Sequence, residues 1–214
     1  MPPATAKIRL WGRNNSINVQ KVIWACEELG VAYERVDAGG AFGGTDSDAY
    51  RAMNPNGLVP VIRDGEQVIW ESNAIVRYLF AAYAPASGTG LHYPSDARGR
   101  AIEEQWMDWQ ATDFWPTMRP VFKSLIRKED GISEADVARA TDASEARLAI
   151  LDAQLEKAAF VAGKRFTMAD IPVGLTVARW LKLPVDHKRH QHVESWFDAI
   201  RSRPAFRSVD IPLT

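Results

Sequence analysis

Three short stretches of this chain hold residue types that can bind or activate a small ligand. The first is Arg13–Asn14–Asn15–Ser16–Ile17–Asn18, between an apolar strand pattern and an apolar helix pattern. Hydroxyl and amide donors at a helix start can hold an anion, because the first N–H groups lack partners and the helix dipole is positive there. A thiolate is such an anion. Ser and Asn are also the preferred helix caps, so plain capping stays open as the alternative. The second stretch is Val59–Pro60. Proline cannot donate to a sheet ladder and belongs at an edge or a special bend. A cis bond here would turn the Val59 backbone outward, where its N–H and C=O could pair with an extended peptide ligand as an added strand does. An ordinary edge-strand proline is the alternative. The third is Glu71–Ser72. Ser72 is a natural N-cap, and a helix start favours a bound carboxylate. Glu71 can meet an ammonium on the same ligand, so the pair suits the α-amino-acid end of a small molecule. A cap with a charge nearby explains the same residues.

These stretches need elements to hold them. Ile8–Trp11 is a short strand pattern ending at Gly12, followed by a helix with Val19, Val22, Ile23, Cys26 and Leu29 at helical spacing and Gly30 as its stop. Tyr33–Val36 reads as a second strand. A glycine-rich loop, 39–44, and a short helix within Ser47–Met53 come next, then the turn Asn54–Pro55–Asn56–Gly57. Leu58–Ile62 is apolar and β-rich. Asp64–Gly65 reads as a tight hairpin turn into Gln67–Trp70, and Ile75, Tyr78, Leu79 and Ala82 mark a third helix. This is half an α/β sandwich closed by an antiparallel hairpin. From Pro85 to Pro94 the composition shifts to Pro, Ser, Gly and Thr, a boundary between a domain at 1–84 and one at 94–214.

Beyond that boundary only helix patterns appear. Ile102, Trp106 and Trp109 start a helix that Pro116 and Pro120 should end or kink. Ser133-x-x-Asp136 opens another, with Leu148, Leu151 and Leu155 on one face and Gly163 expected to close it. Thr167 with Asp170 reads as a reciprocal cap, flanked by Phe166 and Ile171 at the spacing of a hydrophobic staple. A last helix runs from about Gln191 to Ser202.

The chain has 214 residues and a formal net charge of -1, so it carries no global pull toward nucleic acid, and an anionic ligand must be held by local groups. Cys26 is the one cysteine, which rules out an intramolecular disulfide and a cysteine metal cluster and suits a reducing compartment. It falls on an apolar helix face and reads as a buried structural thiol. His187, His190 and His192 alternate with Lys188 and Arg189, which would repel a metal cation; a solvated basic segment is expected, and no metal. No secretory pattern and no membrane-length apolar run is seen, so a cytoplasmic protein without membrane partners is expected.

Taken jointly and in order, these features resemble the cytosolic glutathione S-transferase superfamily. The resemblance runs from Ile8 through Asn54–Pro55–Asn56–Gly57–Leu58–Val59–Pro60, Glu71–Ser72–Asn73–Ala74–Ile75 and Phe166–Thr167–Met168–Ala169–Asp170 to Arg203–Pro204. It implies a thioredoxin-like N-terminal domain, an all-helical C-terminal domain, glutathione as co-substrate and a homodimer. Ser16 resembles the activating serine of theta-like members, and Asn18 the asparagine of nu-like bacterial disulfide-bond reductases. No Cys or Tyr stands at this turn, unlike other classes. The resemblance assigns the γ-glutamyl end to Glu71 and Ser72, the cysteinyl backbone to Val59 before Pro60, and the glycyl end to the loop at Phe42. An apolar substrate with a negative or acceptor group is expected against Trp109, Phe114, Trp115, Met118 and Arg119. The implied activity is thiolate attack on a small electrophile or disulfide. A disulfide reductase, a lyase or dehalogenase, and a non-catalytic binding module remain as alternatives.

Overall fold

Ile8 and Leu10 alternate with Arg9 and Trp11, and that alternation makes β1 (Ile8–Trp11), with Ile8 and Leu10 fully buried. The computed structural model describes residues 7–213. They fall into two compact units, the first ending at Tyr93 and the second starting at Pro94.

In the first unit β1 is followed by α1 (Ile17–Leu29), stopped by Gly30 in the left-handed conformation at φ 63°. Then come β2 (Tyr33–Val36), a short α2 (Asp48–Arg51), β3 (Val61–Asp64), β4 (Gln67–Trp70) and α3 (Ser72–Ser87). The sheet order is β2-β1-β3-β4; β1 pairs parallel with β2 and antiparallel with β3, and β3 pairs antiparallel with β4. Helices α1 and α3 pack together. The hairpin turn is Gly65–Glu66, with Gly65 at φ 56°. Asp64, 8% exposed, accepts hydrogen bonds from the Tyr78 hydroxyl at 2.7 Å and from the Tyr83 hydroxyl, which fastens α3 to the hairpin.

Two boundaries differ from those expected. β3 begins at Val61 rather than Leu58, because Pro60 has no N–H for the ladder and Leu58 is 64% exposed. Helix α3 runs through Pro85, where the boundary segment was expected to begin, to Ser87; in its last turn the missing N–H costs one bond and nothing has to follow it.

The second unit is helical apart from one isolated bridge, Phe160 to Gly163. It contains α4 (Ala97–Trp109), a π-helical turn over Gln110–Phe114, α5 (Trp115–Leu125), α6 (Glu134–Leu155), α7 (Asp170–Trp180) and α8 (Gln191–Arg201). Pro116 does not end the helix: the chain widens just before it, with the Trp115 N–H reaching back to the Gln110 carbonyl, and continues through Pro120 as α5. Ser133 and Asp136 form the expected capping box of α6. That helix ends at Leu155, so Gly163 is not its stop but a member of the bridge.

Asp170 knits the second unit together. It is fully buried and accepts hydrogen bonds from the N–H groups of Val161 at 3.0 Å and Thr167 at 2.8 Å, and from the Trp196 indole at 2.9 Å. Burial still pushes its carboxyl up to about 6, against those donors. The histidine segment is less solvated than expected: His190 Nε2 lies 2.8 Å from Oε2 of buried Glu145, because α6 presents that carboxylate beneath the loop.

Glu103 of α4 is 5% exposed, and its Oε2 has no hydrogen-bond partner among the described residues. Burial, and then the Asp170 charge, push its carboxyl up to about 7 from 4.5. The native state therefore holds this proton more tightly than the unfolded chain. The resulting stability is fully present below about pH 4.5 and is lost as pH rises through about 7. Glu103→Gln, which stays neutral, should match the parent in urea unfolding at pH 4 and exceed it at pH 8 by roughly 1–3 kcal/mol.

Candidate active site

The turn between β1 and α1 is shaped by close approach. At Gly12, a Cβ would stand 2.4 Å from Val19 Cγ2 and 3.2 Å from Val59 Cβ, so only glycine lets the start of α1 meet the Val59 loop. Ser16 occupies the N-cap position of α1 with extended backbone, yet its side chain makes no cap hydrogen bond. Its hydroxyl has no partner among the described residues. Plain capping by Ser16 is therefore not what the structure contains.

Asn18 lies in the first turn of α1, half-buried. Its Oδ1 accepts a hydrogen bond from Ser72 Oγ at 3.2 Å, a contact spanning 54 residues. With Oδ1 occupied, the amide presents its two N–H groups in a set direction.

Ser72 was expected as the N-cap of α3. It is instead the first helical residue, and Glu71 holds the cap position. Glu71 reaches it at φ 71° and ψ 110°, a conformation that a residue with a Cβ rarely adopts and that costs on the order of 1–3 kcal/mol. The Glu71 side chain makes no cap hydrogen bond to this helix start. Ser72 is 5% exposed and Glu71 is exposed, so the charge stands at the surface while the hydroxyl faces inward.

The Val59–Pro60 bond is cis, as the sequence reading expected. Val59 packs against the cluster of Ala38, Tyr50 and Val61, and neither its N–H nor its C=O has a hydrogen-bond partner among the described residues. Sequence reasoning passed over the residues that hold this loop. The Asn54 amide and the Tyr50 hydroxyl both donate to the Leu58 carbonyl, at 2.8 and 3.0 Å. Asn54 is 3% exposed, and its burial beside a turn was the missing clue. Phe42 sits in a short 3-10 turn, Gly40–Phe42, at 57% exposure. Arg13 reaches this loop, lying 3.0 Å from where a Gly40 Cβ would stand.

Sequence reasoning also missed Lys21. It lies on α1, 3% exposed, and donates to Ser72 Oγ at 3.4 Å. A lysine one helical turn beyond Asn18 reads as solvated until the fold brings α3 over it. Cys26 is as expected: it is fully buried, and burial pushes its thiol up to about 12, which makes it inert.

In the second unit the expected substrate cluster separates. Phe114 and Met118 are fully buried in the core. Trp109 stacks between Trp106 and Phe114, with ring centroids 5.2 Å from each. Trp115 and Arg119, one turn apart on α5, line a cavity of about 900 Å³ with Pro116, Lys123, Ile132 and Arg139, and Trp109 is not among its walls. Lys123 pairs with Glu129 and Arg139 with Asp136, while Arg119 is exposed and without a partner among the described residues.

Residues 10–87 match the family model described as glutathione S-transferase, N-terminal domain, and residues 114–204 match glutathione S-transferase, C-terminal domain. The chain is similar to glutathione S-transferase GstB of Escherichia coli (strain K12), with 40% identity over 208 residues, covering 94% of this chain and 97% of that one. It is similar to glutathione S-transferase 3 of Zea mays, with 33% identity, covering 95% and 93%. Among solved structures it resembles the glutathione-bound theta class glutathione S-transferase of Xanthomonas axonopodis pv. citri, with TM-score 0.91, 44% identity, and coverage of 98% and 100%.

The strained backbone at residue 71 has a direct test. Glu71→Gly should raise unfolding free energy by about 1 kcal/mol in urea titration, because glycine adopts this conformation without cost. Glu71→Ala keeps the Cβ and should give no such gain. Equal stability of the two variants would show that position 71 is unstrained.

Proposed function

The chain belongs to the glutathione S-transferase family of enzymes, and we propose that it activates the glutathione thiol for attack on a small electrophile or disulfide. The observation that carries this reading is the Ser72–Asn18 hydrogen bond at 3.2 Å. It joins the turn assigned to the γ-glutamyl end to the turn assigned to the sulfur. Glu71 meets the ligand's ammonium, and Ser72 with the start of α3 meets its carboxylate. The free N–H and C=O of Val59 pair with the cysteinyl backbone, and the glycyl end lies at the loop bearing Phe42. The exposure of Glu71 sets its contribution at about 1–2 kcal/mol, below that of a buried charge.

The chemistry required is modest. A free thiol of pKa about 8.5 must lose its proton at neutral pH, and lowering that value by about two units takes about 3 kcal/mol of thiolate stabilisation. The unengaged Ser16 hydroxyl and the first N–H groups of α1 are donors suited to it. The thiolate then forms a C–S bond with an electrophilic carbon as the leaving group departs with its electron pair, or as the π bond of an activated alkene opens and its carbanion takes a proton; alternatively it attacks one sulfur of a disulfide while the other departs as a thiolate. The second substrate, apolar with a negative or acceptor group, is assigned to the cavity lined by Trp115 and Arg119. Homodimerisation, a cytoplasmic place and a part in detoxification follow from the family resemblance. Light scattering at micromolar protein should return twice the 23.9 kDa chain mass.

A glutathione-dependent disulfide reductase is the second reading, favoured by the fixed orientation of Asn18. Turnover with model electrophiles and with hydroxyethyl disulfide separates the two and excludes both if neither is consumed. If Ser16 contacts the sulfur, Ser16→Ala should raise the bound-thiol pKa in ultraviolet titration and cut transfer roughly 10–100-fold, and Asn18→Ala should do much less. In a reductase the order reverses and disulfide turnover suffers most. Parental pKa and rate in both variants would leave the backbone N–H groups as the activators.

A further inference from the structure

Lysine is almost never fully buried unless it is paired. Lys21 is 3% exposed, and its ammonium offers three donors. It makes one hydrogen bond, to Ser72 Oγ at 3.4 Å, and no carboxylate lies within ion-pair distance of it among the described residues. Glu71 attracts it from farther off, Arg77 repels it, and desolvation is the largest influence, bringing it down to about 7. An unbalanced cation in the interior is unfavourable for folding. Such groups concentrate where a ligand completes them.

The position of Lys21 identifies the ligand group. Its ammonium donates to Ser72 Oγ, so the single Ser72 O–H has to point away from it, and it points at Asn18 Oδ1. A hydroxyl polarised in this way is a stronger donor. The charge lies beneath the first turn of α3, where Glu71 makes no side-chain cap hydrogen bond and the positive end of the helix dipole favours an anion.

We propose that Lys21 is a positioning residue for glutathione: its buried ammonium, acting through the Ser72 hydroxyl, supplies the positive charge that matches the α-carboxylate of the γ-glutamyl end. This rests on the assignment of that end to the Glu71–Ser72 turn. Lys21 touches neither the sulfur nor the electrophile, so its effect falls on binding and not on the chemical step.

The test compares glutathione with its analogue lacking the α-carboxylate, 4-aminobutyryl-cysteinyl-glycine, in calorimetry and in turnover. The parent enzyme should bind glutathione about tenfold more tightly than the analogue or better. Lys21→Met keeps the shape without the charge; it should raise KM for glutathione about tenfold, leave kcat within about twofold, and shrink the preference for glutathione below about threefold. Lys21→Arg should restore much of that preference. A Lys21→Met enzyme that keeps the full preference overturns the role of Lys21 and leaves the site assignment standing. A parent enzyme that does not discriminate the two ligands overturns the site assignment itself, and the proposal with it. If neither Lys21→Met nor Lys21→Gln folds, as judged by circular dichroism, Lys21 is structural and the proposal is wrong.

Discussion

At two helices of the first unit the residue in the cap position makes no side-chain cap hydrogen bond, and much of the unit serves to hold those two starts together. A helix start leaves N–H groups without partners, and a serine, threonine, aspartate or asparagine nearby usually satisfies one of them. Here the residues of the right type do something else. Ser16 stands at the cap position of α1 and makes no cap bond, while Ser72 has moved into the helix and spends its hydroxyl on Asn18. The sheet pairings, the Asp64–Tyr78 bond and the packing of α1 on α3 fix both starts against each other. The rigidity comes from parts of the unit remote from the donors, and the donors stay available.

The second unit shows the same chain following the ordinary rule. Asp96 caps α4 by accepting from the Gly99 N–H at 2.8 Å, Ser133 and Asp136 close a capping box on α6, and Asp170 collects donors ahead of α7. The Ser133–Asp136 box was expected from the sequence, but Asp96 was not: it starts α4 at Ala97, ahead of the Ile102 at which the apolar pattern begins. Asp96, Ser133 and Asp152 accept from helix-start N–H groups in this unit, whereas the side chains of Ser16 and Glu71, at the cap positions of α1 and α3, make no such bond.

How legible each feature was depends on how local its cause is. β1, α1 with its Gly30 stop, and the capping box of α6 follow from patterns within a few residues, and they appear where the sequence places them. Proline misled in opposite directions. It delayed β3 to Val61, yet it ended neither α3 at Pro85 nor the helix at Pro116, where a π-helical turn absorbed the lost bond. At the site, the residue types at 16, 18, 59, 71 and 72 were visible, but their arrangement was not. Glu71 at positive φ cannot be read from the letters Glu-Ser, and the separation of Trp109 from Trp115 and Arg119 depends on which helix face the core claims. Lys21 lay further out of reach, because the group that gives it meaning is 51 residues away in sequence.

The strain at Glu71 and the buried charge of Lys21 have one physical reading. Each is unfavourable for the folded chain alone, and they occur on either side of Ser72. A backbone held in a rare conformation leaves the Glu71 side chain exposed at the start of α3. A cation held away from water interacts with a bound carboxylate far more strongly than a solvated one would. With a formal net charge of -1, the chain has no long-range field to draw in an anionic peptide. Local charge at fixed geometry is the remaining way to recognise one. If this turn holds the γ-glutamyl end, as proposed, the instability on both sides of Ser72 is the counterpart of that recognition, because a site relaxed without its ligand would have to be reorganised by it.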